Sequence, residues 1–306
     1  MRVLVTGAAG FVGYAVAALL VEQGHEVTGL TRSRTSALPK GVARLEGDLL
    51  APQTLPRALA EVDGVCHLAG LTKVRESRTA PTDYWRTNLD GALAILDRLA
   101  NARAARLILA STCAVYGEQA EQPISETAAV APSSPYGPSK LAADQAAADL
   151  AATGAIGAIS LRAFNVAGAL PGHPDRDTTR LIPQLLAVQQ GRAPELVVNG
   201  DGSAVRDFVH VADMATAFML ALRACEPGSW RVYNVGSGRP STVNDVIATA
   251  ETVTGRPVPR RHAAAAHEPA TLWADSTRIR SELGWQPQKS SLPQIILDAW
   301  TALNSD

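Results

Sequence analysis

The chain has 306 residues, 46% of them hydrophobic and 19% charged, with a formal net charge of -1. Those values suit one enzyme-sized body and exclude disorder and fibrous architectures. A balance so near neutral offers no general attraction to nucleic acid or to an anionic membrane, and no apolar run is long enough for a membrane span; a cytoplasmic protein is expected, with any anionic ligand held by local groups.

The chain opens on Arg2–Thr6, a short run rich in β-branched residues that reads as a strand, followed by Val12–Gln23 with apolar residues at helical spacing. Glu26–Leu30, Gly64–Leu68 and Arg106–Ser111 repeat the strand pattern, and Leu55–Ala60 and Tyr84–Ala100 repeat the amphipathic helical one. Such alternation predicts βαβ units and a doubly wound parallel sheet covered on both faces. Ala158–Arg162 reads as a further strand, after which Phe164 and the Gly/Pro-rich stretch Gly168–Pro174 break the rhythm. A helix near Leu181–Gln190, strands at Glu195–Val198 and Arg206–His210, a helix at Met214–Arg223 and a mixed terminal region complete the chain. The expected fold is α/β. Residues 1–165 form the doubly wound body, segments near 205–224 return to it, and residues 166–306 are mainly a smaller mixed α/β part.

Directly after the first strand comes Thr6-Gly7-Ala8-Ala9-Gly10-Phe11-Val12-Gly13, with a helix following at once. In that context Gly7 permits a tight turn, Gly10 lets a pyrophosphate approach the backbone, Gly13 allows close packing, and the helix start offers amides to an anion. This predicts a dinucleotide-binding, Rossmann-type body. An acidic residue at the end of the second strand would accept the ribose hydroxyls of NAD and repel a 2′-phosphate, yet Thr31 stands there, followed by Arg32 and Arg34. NAD and NADP therefore both remain open. Asp48, after a third strand-like run, is a candidate for the adenine amino group, with helix capping as the alternative.

Tyr136-Gly137-Pro138-Ser139-Lys140 sets a phenol and an ammonium four residues apart on one helix face. A tyrosine titrates near pH ~10, and a neighbouring cation lowers that value towards a usable base. Thr112 emerges at the carboxyl end of the fourth strand, where ligand crevices open in such sheets, and Ser111 precedes it. Cys66, Cys113 and Cys225 are too widely spaced for a CxxC metal site or a disulfide framework, so no metal is expected and the thiols read as buried.

Taken together these residues resemble the extended short-chain dehydrogenase/reductases, specifically the NAD-dependent sugar-nucleotide epimerase/dehydratase family. The likeness is carried by TGAAGFVG from Thr6, HLAG from His67, the Asn88 region, STCAVYG from Ser111, SPYGPSK from Ser134, LRAFNVAGA from Leu161, VRDFVHVADM from Val205, YNVGSG from Tyr233 and LGWQP from Leu283. Within it, Leu71–Ser77 with Pro81 and Tyr84, and Thr179–Pro183, are most similar to UDP-glucose 4-epimerases. The resemblance implies a nucleotide-sugar 4-epimerase, in which Tyr136 takes the proton of the 4-hydroxyl, Thr112 steadies that hydroxyl and Lys140 tunes Tyr136. It further implies cofactor contacts from Gly7, Gly10, Phe11, Val12, Thr31, Arg32, Asp48, Leu49, Leu68, Ala69, Gly70, Asn88, Tyr136 and Lys140. Substrate contacts fall to Ser111, Asn165 and Arg206, with an ion pair of Arg206 to Asp207 or Asp213 as the structural alternative. A homodimer through Tyr84–Ala100 and Pro138–Ala151 is implied as well.

Three departures stand out. Cys113-Ala114 occupies the place of the Asp-Glu pair of the family's dehydratases, which argues against water elimination. Ala265 stands where many epimerases carry a second-domain arginine, leaving Arg260 or Arg261 as candidate replacements. Thr31 with Arg32 also fits an NADPH-dependent reductase of an NDP-4-keto-6-deoxyhexose. A non-catalytic dinucleotide sensor on the same fold is the reading from another class, and the joint presence of Thr112, Tyr136 and Lys140 speaks against it.

Overall fold

The computed structural model describes residues 1–54, 62–100, 105–265 and 268–305. Its centre is a seven-stranded parallel sheet, and the first six strands in chain order are β1 (Arg2–Thr6), β2 (Glu26–Thr31), β3 (Ala43–Glu46), β4 (Gly64–His67), β5 (Ala105–Thr112) and β6 (Ile156–Ala163). Across the sheet the order runs Trp230–Val235, β6, β5, β4, β1, β2, β3. The order reverses between β1 and β4, and Thr6 lies beside His67 at that point. In open sheets of this kind the crevice at such a reversal, outside the carboxyl ends of the strands, is where ligands sit.

The near-continuous apolar character of β1, β5 and β6 follows from their having both faces covered. On one face the helix α1 (Phe11–Glu22) packs with the Val211–Ala224 helix over Val3, Val5, Cys66, Ile108 and Ile159. On the other, Ile95, Leu96 and Leu99, with Ala147 and Ala151, cover Leu4, Val65, Leu107 and Leu109. A separate core joins the helices Leu181–Gln189, Val243–Thr254 and Leu292–Leu303 in the second part of the chain.

The sequence-predicted elements of the first part reappear with shifts of one or two residues, except that Leu55–Ala60 lies outside the described residues. Two differences matter. The stretch expected as one α-helix over Tyr84–Ala100 starts earlier, at Pro81, and contains a π-helical segment, Arg86–Asp90, between its α-helical turns. Asn88 lies in that widened segment with its side chain fully buried. The seventh strand, Trp230–Val235, was not anticipated: only its last three residues are buried, so the run lacks the uninterrupted apolar signal of β5 and β6.

The Val205–His210 strand links this sheet to the second part, pairing with Asn165–Ala167, Pro240–Thr242 and Thr271–Leu272. Asp207 is its fastening. This fully buried carboxylate accepts the Ser237 N–H and hydroxyl at 2.7 and 2.6 Å, the Gly238 N–H at 3.0 Å and the Ala274 N–H at 3.3 Å. Both oxygens face donors, so in Asp207→Asn the amide nitrogen must confront an N–H whichever way it turns. We expect a loss of about 3 kcal/mol, read as a fall in Tm on the order of 5 to 10 °C; an unchanged melting curve would remove Asp207 from this role.

Candidate active site

The site grows from the ends of β1, β4 and β5. Gly7 has φ +68°, and a Cβ there would meet the Ala69 backbone nitrogen at 2.8 Å. A Cβ at Gly13 would lie 2.1 Å from the Gly7 carbonyl oxygen. Both positions therefore demand glycine on steric grounds. Thr6 sets the floor of the turn: its hydroxyl accepts the Leu68 and Ala69 N–H groups, each at 3.1 Å, and lies 2.9 Å from His67 Nδ1. Gly10 itself is exposed at the start of α1, whose first turn holds Phe11 and Val12. A glycine turn this closely fitted, opening on free helix-start amides, fits a dinucleotide pyrophosphate.

From the second part, the hairpin of Ala169–Leu170 and His173–Pro174 reaches back to this turn. The His173 ring stacks on Tyr14 at 3.8 Å between centroids, close enough to the Gly10 backbone for it to bear on the titration of the imidazole. Nothing in the sequence alone pairs these residues.

At the end of β2, Thr31 is buried and accepts Arg44 Nη1 at 3.1 Å, while the same guanidinium holds the Ser33 and Ser36 carbonyls. Arg34 is paired with Glu46 at 2.7 Å. Arg32 is exposed. Asp48 accepts the Leu50 N–H at 3.0 Å, and Leu49 lies over Gly91.

The Tyr136–Ala152 helix carries Tyr136 and Lys140. Tyr136 is buried, with Thr112 near its phenol at the end of β5, where the Thr112 hydroxyl accepts the Ala114 N–H at 3.1 Å. Burial pushes its phenol up to about 12, against the lowering effects of the nearby Thr112 hydroxyl and the Arg180 charge. Its ring meets that of Tyr84 edge-on at 6.1 Å. The Lys140 ammonium lies close to Gly70 and is felt at His67, and Asp144 is its charge partner. Burial lowers Lys140 to about 8. Asn88 supports this arrangement by accepting the Leu71 N–H at 2.8 Å and donating to the Leu71 carbonyl and to Ser139, at 3.1 and 3.0 Å.

Ser111 is buried, and its hydroxyl donates to Asp144 at 3.0 Å, so it braces the helix. Asp144 also accepts Ser160 Oγ at 2.7 Å and lies 3.5 Å from Arg162 Nε. Arg162 continues to the Tyr116 hydroxyl at 3.0 Å, which donates to Asn234 on the seventh strand at 2.7 Å. Sequence reasoning missed this buried chain, although Tyr136, Lys140 and Asp144 extend one helix face by the same four-residue step. Cys113 is buried, and its thiol is raised to about 12 by that burial, which fits an inert group.

Asn165 donates to the Asp207 carbonyl at 3.2 Å, beside Arg206. Arg206 pairs with neither Asp207 nor Asp213; its guanidinium holds the Val205 and Ala270 carbonyls and lies 3.4 Å from Glu268. Arg260 and Arg261 are engaged elsewhere, with Glu251 at 3.4 Å and Glu195 at 2.6 Å.

The titration of His67 gives a test. Burial, and secondarily Lys140, lowers it from 6.5 to about 3. Between those values the unfolded chain binds a proton that the native state does not, so stability is lost as the pH falls through that window. By pH 5 the wild type should lose about 2 kcal/mol more than His67→Asn, relative to pH 7, in denaturant unfolding. Equal losses would take His67 out of the acid response.

A sequence profile of the NAD dependent epimerase/dehydratase family matches residues 3–236. Over 98% of its length the chain is 39% identical to the UDP-glucose 4-epimerase of Corynebacterium glutamicum, spanning 95% of that protein. In three dimensions it is similar to the UDP-glucose 4-epimerase of Brucella ovis in complex with NAD, with a TM-score of 0.90 at 32% identity over 98% of this chain and 97% of that one. It is similar also to the Bifidobacterium longum UDP-glucose 4-epimerase in complex with NAD+ and UDP, with a TM-score of 0.91 at 29% identity over 99% of each chain.

Proposed function

The chain belongs to the NAD dependent epimerase/dehydratase family, and we propose that it is an NAD-dependent nucleotide-sugar 4-epimerase that interconverts UDP-glucose and its C4 epimer. The observation that carries this reading is the buried phenol of Tyr136, with Thr112 close enough at the carboxyl edge of the sheet to lower its pKa, beside the glycine turn. Bound NAD supplies a hydride acceptor, the returning hydride and a positive charge on its oxidised ring.

In this reading Tyr136 takes the proton of the sugar 4-hydroxyl on its phenolic oxygen and returns it after the keto sugar has turned over. A phenol at about 12 holds its proton in the resting site, so it serves as a base only as further positive charge arrives. Thr112 orients the 4-hydroxyl through its own hydroxyl. Lys140, directed towards Gly70, holds the cofactor on the side of the glycine turn, where Gly7, Gly10, Phe11 and Val12 take the pyrophosphate and Leu68, Ala69 and Gly70 line the wall. Asn88 acts by fixing that wall. Asn165 and Arg206 take the diphosphate of the substrate, since planar donor forks suit phosphate oxygens.

NAD rather than NADP is favoured because Arg34 is already held by Glu46 and Arg44 by the β2–β3 connection, leaving Arg32 as the one candidate near Thr31 for a 2′-phosphate. A cytoplasmic homodimer belongs to the same reading. Trp85 and Leu93, exposed large hydrophobic residues of the helical run from Pro81 to Leu99, are the side chains a partner would cover. No helix among the described residues is long and apolar enough to cross a membrane.

Tyr136→Phe should lower turnover of UDP-glucose by at least ~100-fold while leaving NAD binding unchanged, measured by product formation and by the dinucleotide released on denaturation. Undiminished turnover would sink the mechanism. Recovery of NAD from the purified wild type supports the hydride-recycling reading; an empty protein preferring NADP by about tenfold would redirect it to a ketoreductase and make Arg32 the next residue to replace.

A further inference from the structure

Two guanidiniums from opposite parts of the chain share one carboxylate. Arg75 Nε and Nη2 lie 3.0 and 2.9 Å from Glu268 Oε1, and Arg206 Nη2 lies 3.4 Å from Glu268 Oε2. Arg75 and Glu268 are 193 residues apart, so the contact spans the first and second parts.

Both arginines hang from elements that touch the reacting residues. Arg75 belongs to the segment after Gly70, which Asn88 fixes at Leu71 and Tyr84 fixes at Lys73, through its N–H at 3.0 Å and its carbonyl at 2.7 Å. Tyr84 is the ring set edge-on to Tyr136. Arg206 lies close enough to Cys113, the neighbour of Thr112, for its charge to be felt there. The side chain of Arg75 is 67% exposed and is held by Glu268, while that of Arg206 is 14% exposed and is anchored by the Val205 and Ala270 carbonyls.

An anion that engages one guanidinium with each of its oxygens has the charge pattern of a diphosphate bridging the same pair, at lower charge. We propose that Glu268 is a placeholder for the diphosphate of the nucleotide sugar, and that Arg75 is a substrate-binding residue that closes on the second phosphate when Glu268 is displaced. This rests on the nucleotide-sugar reading above. Glu268 keeps the two like charges compatible in the empty site, and its release becomes part of binding, so affinity for a nucleoside diphosphate is set by competition between the carboxylate and the phosphates.

The test is calorimetric titration of the NAD-loaded protein with UDP. Glu268→Gln keeps the shape and removes the competing charge, and should bind UDP about threefold to tenfold tighter than wild type. Arg75→Ala in the Glu268→Gln background should bind about tenfold more weakly than Glu268→Gln alone, with Arg75→Lys in the same background restoring part of the loss. NAD affinity should be unchanged in all of them, which separates a phosphate contact from structural damage. If Arg75→Ala changes nothing in that background, Arg75 is a surface partner of Glu268 and the assignment is overturned; a Glu268→Gln protein that binds UDP no tighter overturns the placeholder role. A wild-type protein that binds NAD and no UDP would instead contradict the nucleotide-sugar reading itself.

Discussion

Asp144 is a carboxylate in the protein interior, where an ionised group is tolerated only if its lone pairs and its charge are both answered. Ser111 from β5 and Ser160 from β6 donate to it, Arg162 from β6 lies against it, and Lys140 from its own helix supplies a second positive charge. Burial still raises its pKa, so the partners offset the desolvation only in part. The consequence is mechanical. The helix that bears Tyr136 is bolted to two adjacent strands at one point, and the bolt continues through Arg162 and Tyr116 to Asn234 on the seventh strand. Loss of any one donor leaves a buried charge under-answered, and the position of the reactive phenol depends on the whole set.

The electrostatic character of the site follows from the same burial. Desolvation favours the neutral form of each group it acts on, raising the Tyr136 phenol to about 12 and lowering the Lys140 ammonium to about 8. At neutral pH the phenol keeps its proton and most of the lysine keeps its charge. The resting site is thus biased against premature deprotonation, and the charge needed to release that bias has to be brought in by what binds.

Local features of the chain were legible because their causes are local. The glycine turn could be read from Thr6 to Gly13 since strand, turn and helix are contiguous, and the parallel sheet could be read from strands whose two faces are both buried. Trp230–Val235 escaped because an edge position relieves half its residues of the need to be apolar. The four-residue step from Tyr136 to Lys140 defined a shared helix face, yet it could not say where a flexible four-carbon side chain would end. The same step carried one turn further would have reached Asp144. The partner of Ser111 was not legible because a strand-end hydroxyl can face outwards or inwards, and Asp144 lies 33 residues on. Contacts such as His173 with Tyr14 and Arg75 with Glu268 join separate parts of the fold, and no sequence period encodes them.

The close fit of Gly7 against the Ala69 backbone bears on how a ligand is received. Because the turn is shaped by β1, β4 and the Thr6 hydroxyl, its conformational entropy is surrendered when the chain folds and not when a dinucleotide arrives. The pyrophosphate of such a molecule would meet a preformed seat, whereas Arg75, the arginine proposed above for the nucleoside diphosphate, is largely exposed and paired with Glu268. On that proposal one ligand is suited to long residence and the other to rapid exchange, a kinetic division of labour set by how far each contact is ordered before binding.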